Sequence, residues 1–522
     1  MQNLIRNKIF LVALAVVLLS LGWLGFSGFT SLAGLVPLLW ISDSYGDTRR
    51  DWWRVFGWAI LTFVLWNVAT VWWIWNATPV GPIAATVVST TLNMIAFMAY
   101  HTVSKKAPRA LAYVLLVAGW ITTEYWYTWG EISFPWLILG NGFSESPWAV
   151  QWYEYTGVFG GTLWVLLANI LFYEAIKKRS RRYAVAAVVT VVLPTALSLG
   201  IYSTYEPSTR TAKMAVVQPN VDCYDKFHSD SGWQEDNLLE LIGEVPAGVD
   251  FIALPETTLP EYIYEPNVER EAIVDTIAST LRAKNPEAVV ITGASTWLDY
   301  RAGHQTRTAR KRGGGYYDIF NSALEITPEG EVDIYHKSRL VIGVEKMPLP
   351  WLFKMLEFLV IDLGGTVGQL GVGVAPKTFD NGEVEVGPAI CYEAIYGDFY
   401  GGFVREGADA MAVISNDGWW GNTPGHKRLF AFCRLRAIEH RRAIARSANT
   451  GVSGFITERG DDGQRMEWEE RGVLTADVTL NDKVTFYTRY GDYIGRLARY
   501  VALLCVLYFM AYRIRRKNYL VK

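Results

Sequence analysis

The chain has 522 residues, 51% of them hydrophobic and 19% charged, which is too apolar for a wholly soluble protein and too charged for a bare membrane bundle. A net charge of −2 offers no global attraction for nucleic acid. The four cysteines, Cys223, Cys391, Cys433 and Cys505, form no CxxC pair, so no zinc ribbon or thioredoxin-like motif is expected, and no metal.

Long apolar runs recur up to about residue 203. Spans are expected at 8–26, 29–42, 52–76, 82–102, 109–128, 150–176 and 182–203, with one more at 496–513. The second is the shortest. Arg6 and Lys8 precede the first run, but no small-residue cleavage site follows, so a retained helix is expected rather than a signal peptide. Basic residues favour the cytoplasmic side. They cluster at Arg49–Arg50, at Lys105, Lys106 and Arg109, at Lys177–Arg182 and at Arg513–Lys517, while loops such as Asn76–Gly81 carry almost none. Eight spans with both termini inside satisfy this alternation, and they put the segment between spans seven and eight outside.

From Arg210 to Arg489 short β-rich runs alternate with charged helical stretches. Strands are expected at Lys213–Val217, Asp250–Leu254, Ala288–Gly293, Ser322–Ile326, Val332–Tyr335, Val386–Ile390 and Ala410–Ile414, and helices at Glu235–Ile242, Val268–Ala283 and Leu429–Ala445. The alternation predicts a layered α/β domain. The expected division is a transmembrane bundle over 1–209, a catalytic domain over 210–489, and a last span with its tail over 490–522. Arg307–Gly315, basic and then glycine-rich, reads as a flexible loop.

Three strands end on a reactive side chain: FIAL runs into Pro255-Glu256, VDIY into His336-Lys337, and GPAI into Cys391-Tyr392-Glu393. Functional groups gather at the carboxyl ends of strands in open sheets. Singly, a Cys after a strand reads as core, Pro-Glu as a turn and His-Lys as surface charge. Together they make a coherent acyl-transfer set. A free thiol is mostly protonated at neutral pH. Glu256 can take its proton, Cys391 can attack an ester carbonyl, and Lys337 can stabilise the oxyanion.

These residues resemble the nitrilase superfamily, with its Glu–Lys–Cys triad on an αββα sandwich. Within it the chain looks like the membrane-bound apolipoprotein N-acyltransferase family. The likeness rests on LPETTLP around Glu256, YHKSRLV around Lys337, AICYE around Cys391, SNDGWWG at Ser415–Gly421, RLRAIEHRRAIARSANTGVSG at Arg434–Gly454 and ISFPWLILG at Ile132–Gly140. It implies a two-step reaction without a cofactor: a phospholipid acylates Cys391, and the thioester then passes to the α-amine of a diacylglyceryl apolipoprotein. It implies a monomer in a bacterial inner membrane, with the catalytic domain facing the periplasm. It further suggests Glu345 and Glu393 as supports that orient Lys337, Tyr392 and Trp419 as walls of an acyl pocket, and Asn321 as a substrate-binding residue. For the two glutamates the plain alternatives are an exposed loop carboxylate and a structural ion pair.

The chain departs from the family pattern at Ile342–Lys346, where Glu345 keeps its spacing from Lys337 but the usual Pro-Phe-Gly-Glu-Tyr run is absent. Tyr127 stands where the family tends to carry an Arg after the fifth span. Two rival functions use the same residues: a membrane-anchored amidase with water as acceptor, and an inactive lipoprotein-binding module. A disulfide between Cys223 and Cys433 is left open. Met347–Ile361, nearly all apolar, reads as a lid that dips into the lipid surface.

Overall fold

The computed structural model describes residues 7–224, 231–300, 303, 306–346 and 369–520; the expected lid at Met347–Ile361 lies outside them. The chain divides by internal packing into two units, Met1–Thr204 with Tyr490–Lys522, and Tyr205–Arg489.

The first unit is helical. Its helices are α1 (Lys8–Ser20), α2 (Val36–Asp43), α3 (Arg49–Val71), α4 (Gly81–Lys106), α5 (Arg109–Trp129), α6 (Tyr153–Lys178) and α7 (Arg181–Thr204). Among the described residues five helices are long and apolar enough to cross a membrane: α3 with its 3₁₀ extension to Asn76, α4, α6, α7 and the C-terminal helix from Tyr493. The first two expected spans are shorter, because α1 gives way to a 3₁₀ turn at Leu21–Trp23 and α2 is preceded by another at Gly28–Ala33. The fifth, α5, is 21 residues long and carries Glu124. Local signals set the ends. Thr48 caps α3 by accepting from Asp51 N, and Lys105 and Lys106 occupy the last turn of α4, where cations suit the helix dipole. The C-terminal helix packs on α5, and Gly495 lies so close to the Tyr125 ring that a Cβ there would collide.

The basic loops converge at one end of this unit. Asp43, at the end of α2, pairs with Arg109 at 3.2 Å and with Lys177, while Glu174 pairs with Arg109 at 3.0 Å and Lys178 at 2.6 Å. Inside the bundle, buried Glu124 accepts from Trp120 Nε1 and Leu139 N, each at 2.9 Å, and from Thr162 Oγ1 at 2.6 Å. It thereby ties the Ile132–Gly140 loop to α5 and α6. A buried carboxyl group is tolerated when its oxygens are hydrogen-bonded.

The second unit is a two-sheet sandwich. The first sheet holds β1 (Thr211–Gln218), β2 (Phe251–Ala253), β3 (Tyr262–Tyr264), β4 (Val289–Tyr300), β5 (Arg310–Arg312), β6 (Gly315–Ile326), β7 (Val332–His336) and β14 (Gly472–Thr479), in the order β14-β1-β2-β4-β6-β5, with β3 on β4 and β7 on β6. The second holds β8 (Phe379–Asp380), β9 (Glu385–Ile390), β10 (Ala410–Ser415), β11 (Ile444–Ala448), β12 (Ser453–Ile456) and β13 (Asp462–Met466), in the order β13-β12-β11-β10-β9-β8. The strands β1, β2 and β4 are parallel, as are β9, β10 and β11. Such strands are buried on both faces, which is why β10 reads AMAVIS without alternation. The sheets face each other through β1–β11, β2–β10 and β6–β9 contacts. Helices α8 (Ser231–Glu244) and α9 (Ala272–Lys284) cover the first sheet over a core that includes Leu241, Ile252, Ile277 and Val290. Helices α10 (Gly397–Arg405) and α11 (Pro424–His440) pack on the second. The C-terminal helix is α12 (Tyr493–Leu520).

Two expectations are corrected. The helix expected at Leu429–Ala445 stops at His440, where Arg441 turns left-handed at φ 49°, and Ile444–Ala448 is the buried strand β11. A stretch as short as Ile444–Ala448 does not distinguish helix from strand by itself. Arg307–Gly315 is not a loose loop either. Arg310–Arg312 pairs antiparallel with Gly315–Tyr317 across a two-residue Gly313-Gly314 turn, with Gly313 at φ 57°.

Candidate active site

Four strand ends supply the site. Glu256 follows β2, Lys337 follows β7, Cys391 follows β9, and Ser415 closes β10. The first two come from one sheet and the last two from the other, so the site lies where the sheets meet.

Each side chain is fixed by its backbone. Glu256 sits in a turn whose next residue, Thr257, has φ 48°. Gly293 of β4 packs against it, with its N–H on Pro255 O at 3.0 Å; a Cβ at Gly293 would lie 2.5 Å from Glu256 Cα. Lys337 is held on both sides, its N–H donating to Asn321 O at 2.8 Å and its carbonyl accepting from Gly373 N at 2.9 Å. Cys391 has φ 49°, a left-handed conformation that costs a non-glycine residue ~1–3 kcal/mol and clusters at functional sites.

The ionisable groups form one buried cluster. Lys337 Nζ lies 2.8 Å from Glu256 Oε1 and 2.9 Å from Glu345 Oε1, with Lys337 only 1% exposed. Asn321 Nδ2 donates to both of those oxygens at 2.7 Å. The outer oxygens are also filled: Glu256 Oε2 accepts from Asn416 N at 3.0 Å, and Glu345 Oε2 from Val341 N at 2.7 Å. Glu345 is thus no exposed loop carboxylate. Asn321 bridges the two carboxylates through its amide nitrogen.

Burial and neighbours divide the protonation states. Burial would raise Glu256, but the charge and hydrogen bonds of Lys337 and the Asn321 amide outweigh it, holding the carboxyl below its usual range. Burial would lower Lys337, yet the two carboxylates keep it well above its usual range. For Cys391, burial and the Glu256 charge both push the thiol well up, against the opposing pull of Lys337. At rest the site holds a carboxylate, an ammonium and a neutral thiol.

Glu393 acts elsewhere than expected. Its Oε1 accepts from Tyr335 Oη and Ser338 N, each at 2.7 Å, and from Arg339 N at 3.3 Å, while Oε2 accepts from Ile390 N at 2.8 Å. It makes no hydrogen bond to Lys337. It straps the segment after Lys337 to the strand before Cys391, and burial pushes its carboxyl up to about 7 against those donors. Tyr392 is buried with its ring 5.5 Å from that of Tyr396, and half-buried Trp419 meets Tyr224 edge-on at 5.5 Å. Cys223 and Cys433 are both buried and unbridged.

Sequence reasoning missed a group behind Cys391. The register pairs Ile414 with Ile390, which puts Ser415 beside Cys391. Ser415 Oγ donates to Asp417 Oδ1 at 2.6 Å, and Arg446 Nη2 donates to both Asp417 oxygens at 2.9–3.0 Å, all fully buried. SNDGWWG and ARSAN mark these positions, but their pairing across 29 residues is tertiary.

A two-sheet α/β sandwich presenting Cys, Lys and Glu at its strand ends is of the carbon–nitrogen hydrolase class, and the sequence pattern of that family matches residues 213–485. The pattern of the apolipoprotein N-acyltransferase N-terminal domain matches residues 10–171. Curated apolipoprotein N-acyltransferases align over nearly the whole chain. The one from Chlorobaculum tepidum is 28% identical over 90% of this chain and 91% of its own. The one from Allorhizobium ampelinum is 30% identical over 85% and 84%. Among solved structures, an amidase from Nesterenkonia sp. is matched over 56% of this chain and 98% of its own, at 15% identity and a TM-score of 0.36. The chain belongs to the apolipoprotein N-acyltransferase family.

Proposed function

We propose that the chain N-acylates apolipoproteins through a thioester on Cys391, using a phospholipid as donor. The observation that carries this reading is the buried cluster of Glu256, Lys337, Glu345 and Asn321 beside Cys391, the first two at strand ends. The thiol proton passes to Glu256 as sulfur attacks the ester carbonyl. Lys337 meets the oxyanion. Collapse expels the lysophospholipid alkoxide, which takes the proton from Glu256. In the second half, the acceptor amine gives its proton to Glu256 and attacks the thioester, and the thiolate leaves and is reprotonated. Tyr392 and Trp419 line the acyl chain's path in this reading. Family membership favours the amine of a diacylglyceryl apolipoprotein over water as acceptor.

The domain reading goes with it: a transmembrane bundle over 1–209, a catalytic domain over 210–489, and a last span with its tail over 490–522. Eight spans put Arg49 and Arg50 at the start of α3, the basic residues from Lys105 to Arg109 between α4 and α5, and those from Lys177 to Arg182 between α6 and α7 in the cytoplasm, and the catalytic domain in the periplasm of a bacterial inner membrane; the chain acts as a monomer. The convergence of Asp43, Lys105, Arg109 and Lys177 at one end of the helical unit supports that sidedness.

The test is intact-mass analysis of the protein after incubation with phospholipid. One added acyl chain, removed by hydroxylamine, is expected. It should persist without amine and discharge onto a diacylglyceryl-cysteine peptide. Rapid loss to water would indicate an amidase, and no adduct at all a binding module.

A further inference from the structure

The hairpin next to the sheet edge has no place in the mechanism above. Strands β4 and β6 run on as a long antiparallel pair to Tyr300↔Tyr316, and β5 adds Arg310↔Tyr317 and Lys311↔Tyr316. Residues opposite each other across a ladder share a face, and side chains alternate along a strand. One face therefore carries Arg310, Arg312, Tyr317, Trp297 and Asp299, and Lys311 lies on the other. The rings on it are ordered against each other. Tyr264 stacks on Trp297 at 4.2 Å, Tyr317 meets Trp297 edge-on at 6.4 Å, and the Arg312 guanidinium lies 5.4 Å from the Trp297 centroid. The rings are half-buried, and Arg307, Lys311 and Arg312 are exposed.

The charge there is only partly compensated, by Asp299 on the same face. Among the described residues, Arg307, Arg310, Lys311 and Arg312 have no carboxylate within ion-pair distance. The two nearby carboxylates hold hydrogen bonds from neutral hydroxyls and leave the four cations in excess: Asp299 accepts from Tyr264 Oη at 2.6 Å, and Asp318 accepts from Thr306 Oγ1. Arg310 and Arg312 beside a Tyr/Trp platform, with Lys311 on the other face of the same hairpin and Arg307 just before it, match the chemistry of a phosphate-bearing lipid interface, where aromatic rings settle among headgroups and each cation adds attraction to anionic lipid.

We propose that the Arg307–Tyr317 hairpin is a docking surface for anionic phospholipid headgroups. It rests on the membrane reading of the chain but not on acyl transfer. Negative lipid gathers at its cations, and the Tyr264–Trp297–Tyr317 rings give it an apolar seat.

The test uses the full chain in nanodiscs of ether-linked phosphatidylcholine, alone or in equal parts with ether-linked phosphatidylglycerol. These lipids cannot donate acyl chains, so the result is independent of turnover. A dye is placed on Gly314→Cys, at the exposed hairpin tip, where a Cβ meets nothing within 4 Å. The four natural cysteines are buried. Quenching by headgroup-spin-labelled lipid is expected to rise with phosphatidylglycerol and fall with salt. It is expected to weaken about fivefold for each of Arg307, Arg310, Lys311 and Arg312 changed to Gln. Changing the three arginines to Lys should preserve it, which separates charge from a damaged hairpin. Quenching indifferent to lipid charge would overturn the proposal and leave the cations as guards of an open sheet edge. Quenching that appears only on adding an acidic lipopeptide would also overturn it, in favour of the acceptor as partner.

Discussion

Glu345 Oε1 lies 2.9 Å from Lys337 Nζ, a contact between residues eight positions apart that brings a second carboxylate to an ammonium already paired with Glu256. Glu345→Gln is expected to leave the chain folded but to let Lys337 drift from the oxyanion position. Misplacement of this kind costs about 10²-fold in rate. The check is the acylation rate of Cys391 by intact mass. An unchanged rate would confine Glu345 to a structural role.

Cys391→Ala and Cys391→Ser should both give no thioester, the serine because its alkoxide is far harder to form at neutral pH. Glu256→Gln and Lys337→Met should each slow acylation by several orders of magnitude and should add nothing to Cys391→Ala. A normal acylation rate in Glu256→Gln would shift the base to Glu345.

The acylation rate should be flat from about pH 5 to about pH 8.5, because Glu256 titrates below the usual carboxylate range and Cys391 above the usual thiol range. A single-turnover profile checks this. An inflection inside the window that persists in Glu393→Gln would mean that some other group gates the reaction.

Stability should depend on pH through Glu393. Its folded value, about 7, lies above the usual carboxylate value of 4.5, so between them the folded chain holds more protons than the unfolded one. The contribution is present below pH 4.5 and is lost as pH rises towards 7, by about 3 kcal/mol in all. Melting curves in detergent across this window should show the decline, and Glu393→Gln should flatten it.

Asp417→Asn should be strongly destabilising, because it strands the Arg446 guanidinium in a dry interior, at a cost of about 3–5 kcal/mol. Removing both partners, as Asp417→Asn with Arg446→Met, should cost less than the sum of the single changes. Denaturant midpoints of the four proteins test the pair, and additive losses would count against it.

The sequence by itself determined the division into apolar and α/β stretches, because hydrophobic runs and strand–helix alternation are local properties of the chain. It also marked Glu256, Lys337 and Cys391, since each follows a strand that reads plainly as one. The β11 strand was not legible, because Ile444–Ala448 continues the mixture of arginine and small or apolar residues seen in α11, and only the left-handed Arg441 ends the helix. Nor was the hairpin at Arg310–Gly315, where glycines that signal flexibility alone become a tight turn once β6 offers a partner. The roles inside the site were decided by tertiary structure. Whether Glu345 or Glu393 touches Lys337 depends on which way two loops fold over strands from different sheets. Asn321 became a bridge between carboxylates, and Asp417 the partner of Arg446, through contacts that span many residues. Sequence spacing fixes what lies on one strand; which buried charges neutralise each other is settled only when packing closes the sandwich and removes the water that would otherwise solvate each one separately.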